Sequence, residues 1–141
     1  MRKNLKIWRE DLCNISENAI IGDDCIIHPF VSIYQDVEIG NNVKIQNGCF
    51  LPNGIEIGNN VFLSPFVKFA NDSRPPSNGK SWKKTIVKDG AVIGINATIL
   101  PGVIIGKDSF VGANSLVTKN IPDCECWIGS PAKFYKKRKD L

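Results

Sequence analysis

The chain has 141 residues, a length that suits one domain with a single buried core and is too short for a catalytic domain beside a separate partner domain. With 43% hydrophobic and 23% charged residues, its composition excludes a disordered chain, a collagen-like repeat and a disulfide scaffold. The net charge of +4 resides wholly in the last nine residues, Lys133 to Leu141; the other 132 residues balance at thirteen against thirteen, so no basic face along the body points to nucleic acid.

From the N-terminus, Met1 to Leu12 is broken by Arg2, Lys3, Lys6, Arg9, Glu10 and Asp11, which leaves no signal-peptide core. No apolar run approaches the roughly 18 residues of a membrane span. The expectation is a cytoplasmic protein with no membrane partner. The next segment is organised by a period of six. Stepping from Ile21 gives Ile27, Ile33, Ile39, Ile45, Leu51, Ile57, Leu63 and Phe69, and the series resumes at Val87, Ile93, Ile99, Ile105, Val111 and Val117. At 43% apolar composition, such an unbroken series of fifteen arises by chance about once in several hundred thousand trials, so the stride is a structural signal.

Two residues before each of these stands a small or β-branched one, from Ala19 and Cys25 through Val67 and then from Thr85 to Ser115. Two inward positions around one outward residue describe a short strand, and the Gly, Asn, Asp and Pro that follow describe a corner. Three hexads then make an 18-residue coil of a three-sided column, and Gly22, Gly40 and Gly58, each 18 apart, are expected to take positive φ at stacked corners. Ala19 to Asp72 fill three coils and Thr85 to Asn120 two more, giving about five. The twelve residues from Ser73 to Lys84 must leave the column as a loop. Past Asn120 the pattern stops; Ser130 as N-cap and Pro131 as first helical residue predict a short helix from about Pro131 to Arg138, within a terminal cap over 121–141.

Chemistry concentrates at the loop. The 18-residue period stacks Gln35, Asn53 and Asn71 on one edge, with Asp36, Gly54 and Asp72 beside them. Two readings stand: a solvated corner, since Asn and Asp favour turns, or an acceptor pocket whose amides bond hydroxyls or an amine and which Trp82 or a neighbouring subunit closes against water. Cys13, Cys25, Cys49, Cys124 and Cys126 form no CxxC pair and read as reduced thiols, with no metal site.

The hexads resemble the hexapeptide-repeat acyltransferases, and the resemblance covers about nine tenths of the chain. It implies an all-β, left-handed parallel β-helix forming one domain over 1–141, a homotrimer, and active sites in grooves between neighbouring columns. The left hand comes from the resemblance, since parallel crossovers are normally right-handed. Phe69-Ala70-Asn71-Asp72-Ser73-Arg74-Pro75 resembles the F-T-N-D-x-x-P-R stretch of the N-acetyltransferases of nucleotide-linked amino sugars, with Ala70 in place of Thr and Arg74 preceding rather than following Pro75. The implied reaction carries acetyl from acetyl-CoA to the amine of a UDP- or dTDP-linked amino sugar. Asn71 is the expected catalytic residue, orienting the amine or polarising the thioester. Asp72, Arg74, Gln35, Asn53, Trp82 and His28 are candidates for holding the acceptor. The resemblance further implies that no side-chain base is needed, the departing CoA thiolate taking the proton.

An amine whose conjugate acid has a pKa near 8 is partly neutral at physiological pH and attacks unaided, whereas an alcohol needs a base. His28 is the only histidine and precedes the loop by several hexads, so it reads as structural or groove-lining. For the donor, Gly94, Gly112 and Ala113 match small residues that let a pantetheine approach the main chain, though corner geometry explains them equally. Lys119, Lys133 and the cluster Lys136 to Lys139 are placed to meet its phosphates, the alternative being a tail that only solvates the terminus. The rival readings are an O-acetyltransferase of the same fold, a carbonic anhydrase, which a single histidine cannot supply, and a non-catalytic scaffold, for which the loop and basic tail have no use.

Overall fold

The computed structural model describes residues 3–140. Met1, Arg2 and Leu141, which belong to the N-terminal stretch and terminal cap of the sequence reading, lie outside the described residues. The chain winds into a three-sided parallel β-solenoid. Face A carries Lys6–Ile7, Ile26–Ile27, Lys44–Ile45, Phe62–Leu63, Val92–Ile93 and Phe110–Val111; face B runs from Asn14–Ile15 to Leu116–Val117; face C runs from Ile20–Ile21 to Ile104–Ile105, with Ile121 bridged beyond it. Strands of successive coils pair in parallel at the predicted 18-residue register, as in Ile26 with Lys44 and Lys44 with Phe62. Across the loop the offset grows to 30, as in Phe62 with Val92.

All fifteen aliphatic or aromatic residues of the stride are buried, and so are all fifteen of the preceding register. The three polar members of that register keep their bonds: Ser109 Oγ donates to the Gly106 carbonyl at 2.7 Å, Thr85 Oγ1 accepts from Gly102 N at 3.1 Å and Ser115 Oγ accepts from Gly129 N at 3.2 Å. Buried hydroxyls so satisfied cost the core little. The buried thiols of Cys25 and Cys49 behave alike, Cys25 donating to the Gly40 carbonyl at 3.2 Å with its pKa raised by burial. Cys49 donates to the Ser64 carbonyl, and burial pushes its pKa up to about 11, which leaves it a protonated, inert thiol.

Three expectations are corrected. The column has more coils than about five, because Lys6–Ile7 and Asn14–Ile15 add two faces ahead of Ile21 that the stride does not reach: the turn Glu10–Leu12 adds two residues and Ile7 pairs with Ile27 at an offset of 20. The C-terminal helix is absent. Glu125–Gly129 instead continues face A in parallel with Phe110–Val111, and Ala132–Lys137 returns antiparallel along it. Glu125–Gly129, at the open end of face A, offers five residues of unpaired ladder, which outweighs the weak helical signal of one capped turn with no apolar stripe. Finally, Gly22, Gly40 and Gly58 do not have positive φ; that conformation falls two residues later, at Asp24, Asn42 and Asn60. Glycine is required for contact: a Cβ on Gly40 would stand 2.9 Å from the Gly58 carbonyl of the next coil. Among the described residues no helix is long and apolar enough to cross a membrane.

Candidate active site

The column has three edges, and the candidate residues divide between two of them. On the B–C edge stand Gln35, Asn53, Asn71 and Lys119, and from it leaves the loop. On the A–B edge stand His28, Gly94, Gly112 and Ala113. Face B separates the two, so within one chain His28 does not meet Asn71, and Lys119 does not meet Gly94.

The C–A edge shows what corner amides and carboxylates do when their job is structural. Asn41 Oδ1 accepts from Asp23 N at 2.8 Å, Asn59 Oδ1 from Asn41 N at 2.8 Å, and Asp89 Oδ1 from Asn59 N at 2.7 Å. Each side chain is consumed tying one coil to the next. On the B–C edge, by contrast, the side-chain amides of Gln35 and Asn53 make no hydrogen bond among the described residues; Asn53 contributes only its carbonyl, which accepts from Asn71 Nδ2 at 3.0 Å. That bond turns the Asn71 amide and leaves its Oδ1 uncommitted. The free amides of Gln35 and Asn53 are thus available to water or to a ligand, whereas Asn120 farther along the same edge accepts from Ile104 N at 2.8 Å.

Asp72 builds the loop. Its carboxylate accepts from Arg74 N at 3.0 Å and from Ser77 N at 2.9 Å, an Asx turn extended by a second amide. Burial pushes its pKa up, but the Ser77 and Arg74 amides outweigh burial and hold it below the usual carboxylate range. So committed, it is a poor proton acceptor. Asp72 bridges Trp82 antiparallel, Lys83 N donates to the Asn71 carbonyl at 2.8 Å, and the neck is closed. The loop then lies back along the edge toward the N-terminal coils. There, half-exposed Trp82 walls a cleft of about 440 Å³ with Asn14, Ser16, Tyr34, Gln35 and Asn53. The structure thus brings Gln35, Asn53 and Trp82 together beside Asn71. Arg74 is exposed on the loop. Tyr34, Asn14 and Ser16 escaped the sequence reading; the outward position of face B and the corner after it mark them once the first coil is recognised.

The small residues of the A–B edge are explained by packing. A Cβ on Gly94 would stand 2.7 Å from Ala113 N, and one on Gly112 2.6 Å from Ile128 Cγ2. Lys133 pairs with Ile128 in the hairpin and so belongs with Gly112. Within the cluster Lys136 to Lys139, Lys137 pairs with Glu125 at 2.8 Å and Arg138 is turned inward, its Nη1 donating to the Gly90 carbonyl at 3.2 Å. Lys136 and Lys139 rim a cleft of about 550 Å³ between Phe110, Ile128 and Tyr135. No group of three metal-ligating side chains occurs among the described residues.

Comparison with known proteins decides the family. The bacterial transferase hexapeptide (six repeats) profile matches residues 18–53 and 84–119, stopping short of the loop on one side and resuming as it ends. The chain belongs to the bacterial transferase hexapeptide family. Among solved structures, this hexapeptide chain is similar to PerB from Caulobacter crescentus in complex with CoA and GDP-perosamine, at 27% identity and a TM-score of 0.80 over 93% of this chain and 57% of that one. It shares its fold with the acetyltransferase domain of PglB from Neisseria gonorrhoeae, at 18% identity, a TM-score of 0.81, and 93% and 57% coverage. It also shares it with a variant of AntD, an N-acyltransferase from Bacillus cereus in complex with dTDP and coenzyme A, at 23% identity, a TM-score of 0.75, and 99% and 83% coverage. The chain spans less than two thirds of the length of PerB and of the PglB domain. No curated protein sequence matches it.

Proposed function

We propose that this chain transfers an acetyl group from acetyl-CoA to the amine of a nucleotide-linked amino-deoxy sugar, as a cytoplasmic, single-domain, homotrimeric enzyme. The observation that carries this reading is the row of uncommitted amides on the B–C edge, ending at an Asn71 whose Nδ2 is anchored and whose Oδ1 is open. The likeness to PerB, solved with CoA and GDP-perosamine, supports the substrate classes.

The steps follow from these groups. Asn71 Oδ1 accepts a hydrogen bond from the acceptor amine, which fixes the nitrogen lone pair toward the thioester carbonyl; such positioning is worth about 10²-fold or more in rate. The new C–N bond forms, the C–S bond breaks, and the proton of the ammonium passes to the departing thiolate, giving amide and free CoA. Asp72, committed to its two amides, does not enter the proton transfer. Arg74 supplies charge for the acceptor's diphosphate. Lys133 and the Lys136 and Lys139 rim meet the donor's phosphates, while Gly94, Gly112 and Ala113 border its path and Lys119 lies toward the same end.

The test is thiol release from acetyl-CoA against UDP-, dTDP- and GDP-linked 3-amino and 4-amino sugars, with hydroxyl analogues as controls. Turnover is expected with an amine only, and Asn71→Ala should lower kcat/KM about 100-fold while His28→Ala changes it less than threefold. Turnover of an alcohol and of no amine would discard the reading.

A further inference from the structure

The cleft beneath Trp82 has a chemistry of its own. Among the described residues no charged side chain lines it, and its walls are two half-exposed aromatics: Trp82 from the loop and Tyr34, whose ring stands edge-on to Phe50 at a centroid distance of 5.6 Å. Between them stand Asn14, Gln35 and Asn53, whose side-chain amides make no hydrogen bond among the described residues, although amides on the C–A edge of this same molecule are consumed in tying coils together. Aromatic faces with free neutral amides, each able to donate and accept, suit a flat uncharged heterocycle rather than a phosphate or a carboxylate. A stacked base contributes about 1–3 kcal/mol on an aromatic platform, and amides pair with its polar edge.

Position narrows the choice. Asn71 lies on the fourth coil and Asn14 on the first, three coil spacings or about 14 Å away along one edge. Asn53 lies only one spacing from Asn71, so it is the far end of the cleft, at Tyr34 and Asn14, that stands at the reach of a hexose joined through a diphosphate to a nucleoside. The loop carries positive charge, since Arg74 and Lys80 are exposed on it and have no ion-pair partner among the described residues.

We propose that the Tyr34–Trp82 cleft is a nucleobase slot, in which the base of the acceptor lies against the two aromatics and is read by Asn14, Gln35 and Asn53. This deepens the acceptor assignment made above and, as a statement about the acceptor, rests on it. Binding to the slot can nonetheless be measured without turnover.

The experiment is calorimetric titration of the full chain with UDP, dTDP and GDP, using inorganic pyrophosphate and ribose 5-phosphate as baseless controls. At least one nucleoside diphosphate should bind 100-fold or more tightly than pyrophosphate. Trp82→Ala and Tyr34→Ala should each shrink that ratio at least tenfold, and Gln35→Ala should weaken the preferred base while leaving pyrophosphate unchanged. Trp82 and Gln35 are exposed, so these variants keep the core intact even if Tyr34→Ala does not fold. Nucleosides binding no better than pyrophosphate, or a ratio that survives the Trp82 and Gln35 changes, would overturn the slot. If the base preference is found and no amine is acetylated, the slot stands and the acyl-transfer reading falls; if amines are acetylated with a KM indifferent to Trp82 and Gln35, the reverse holds.

Discussion

At the scale of the residue, the corners carry a rule and two exceptions to it. Positive φ recurs every six residues, at Asp24, Phe30, Asp36, Asn42, Gly48, Gly54, Asn60 and Phe66 and, past the loop, at Gly90, Asn96, Gly102, Asp108 and Asn114. Eleven of these are Gly, Asn or Asp, the residues that tolerate the left-handed region. Phe30 and Phe66, at φ +67° and +64°, do not belong to that set, and both stand on the A–B edge, 61% and 52% exposed. A bulky side chain there costs about 1–2 kcal/mol and persists only where something else favours it. Phe66 gains partly from its ring lying over Gly48, where any Cβ would collide with it. Phe30→Asn should therefore raise the unfolding free energy by about 1 kcal/mol in urea titration, since Asn adopts the conformation readily. A loss of stability instead would mean that the Phe30 ring is covered by another surface. The rule was within reach of the sequence, since Gly, Asn and Asp recur at that step. Gly22, Gly40 and Gly58 mark a close-packed corner position rather than the left-handed one, because close packing and left-handed backbone both select glycine.

At the scale of the element, strand positions were legible and connections were not. The hexad stride exposes every inward residue because one face in each strand is buried without exception. The first coil hid behind the two-residue insertion at Glu10–Leu12, and the terminal hairpin behind a helix-like start at Ser130 and Pro131. Only the open edge of face A, a tertiary feature, makes Ala132–Lys137 a strand. Similarly, the sequence located the loop while leaving Asp72 poised between binding sugar and holding the neck; its carboxylate accepts from two loop amides, which holds the neck. That carries a pH prediction. The Asp72 carboxyl is lowered in the folded chain, so its bonds are fully present above the ordinary aspartate pKa of about 4 and are lost as pH falls through the lower folded value. Amide exchange at Arg74 and Ser77 should stay protected from pH 8 to 5, corrected for intrinsic rates, and lose protection below about pH 4. Asp72→Asn should lose it at every pH. Protection indifferent to both changes would assign the order of the loop to other contacts.

At the scale of the whole molecule, the division of candidate residues between two edges becomes a statement about assembly. The sequence stacked residues correctly along each edge, because 18 divides their spacing, but could not tell that one edge would face away from another around the column. If acetyl transfer needs the acceptor edge carrying Asn71 and the donor edge carrying Ala113, and face B keeps them apart within a chain, then the two must come from different copies joined by a head-to-tail contact. Complementation tests this directly. Asn71→Ala disables the B–C edge and Ala113→Arg, at an exposed position, obstructs the A–B edge, so each variant alone should have little activity. Unfolded and refolded together in equal amounts, they should form mixed assemblies in which about a quarter of the sites pair an intact A–B edge with an intact B–C edge, and activity should return to about a quarter of the native value. Mixed samples as inactive as their parents, with exchange of copies verified by mass, would place both edges' work within a single chain and remove the reason for an interfacial site.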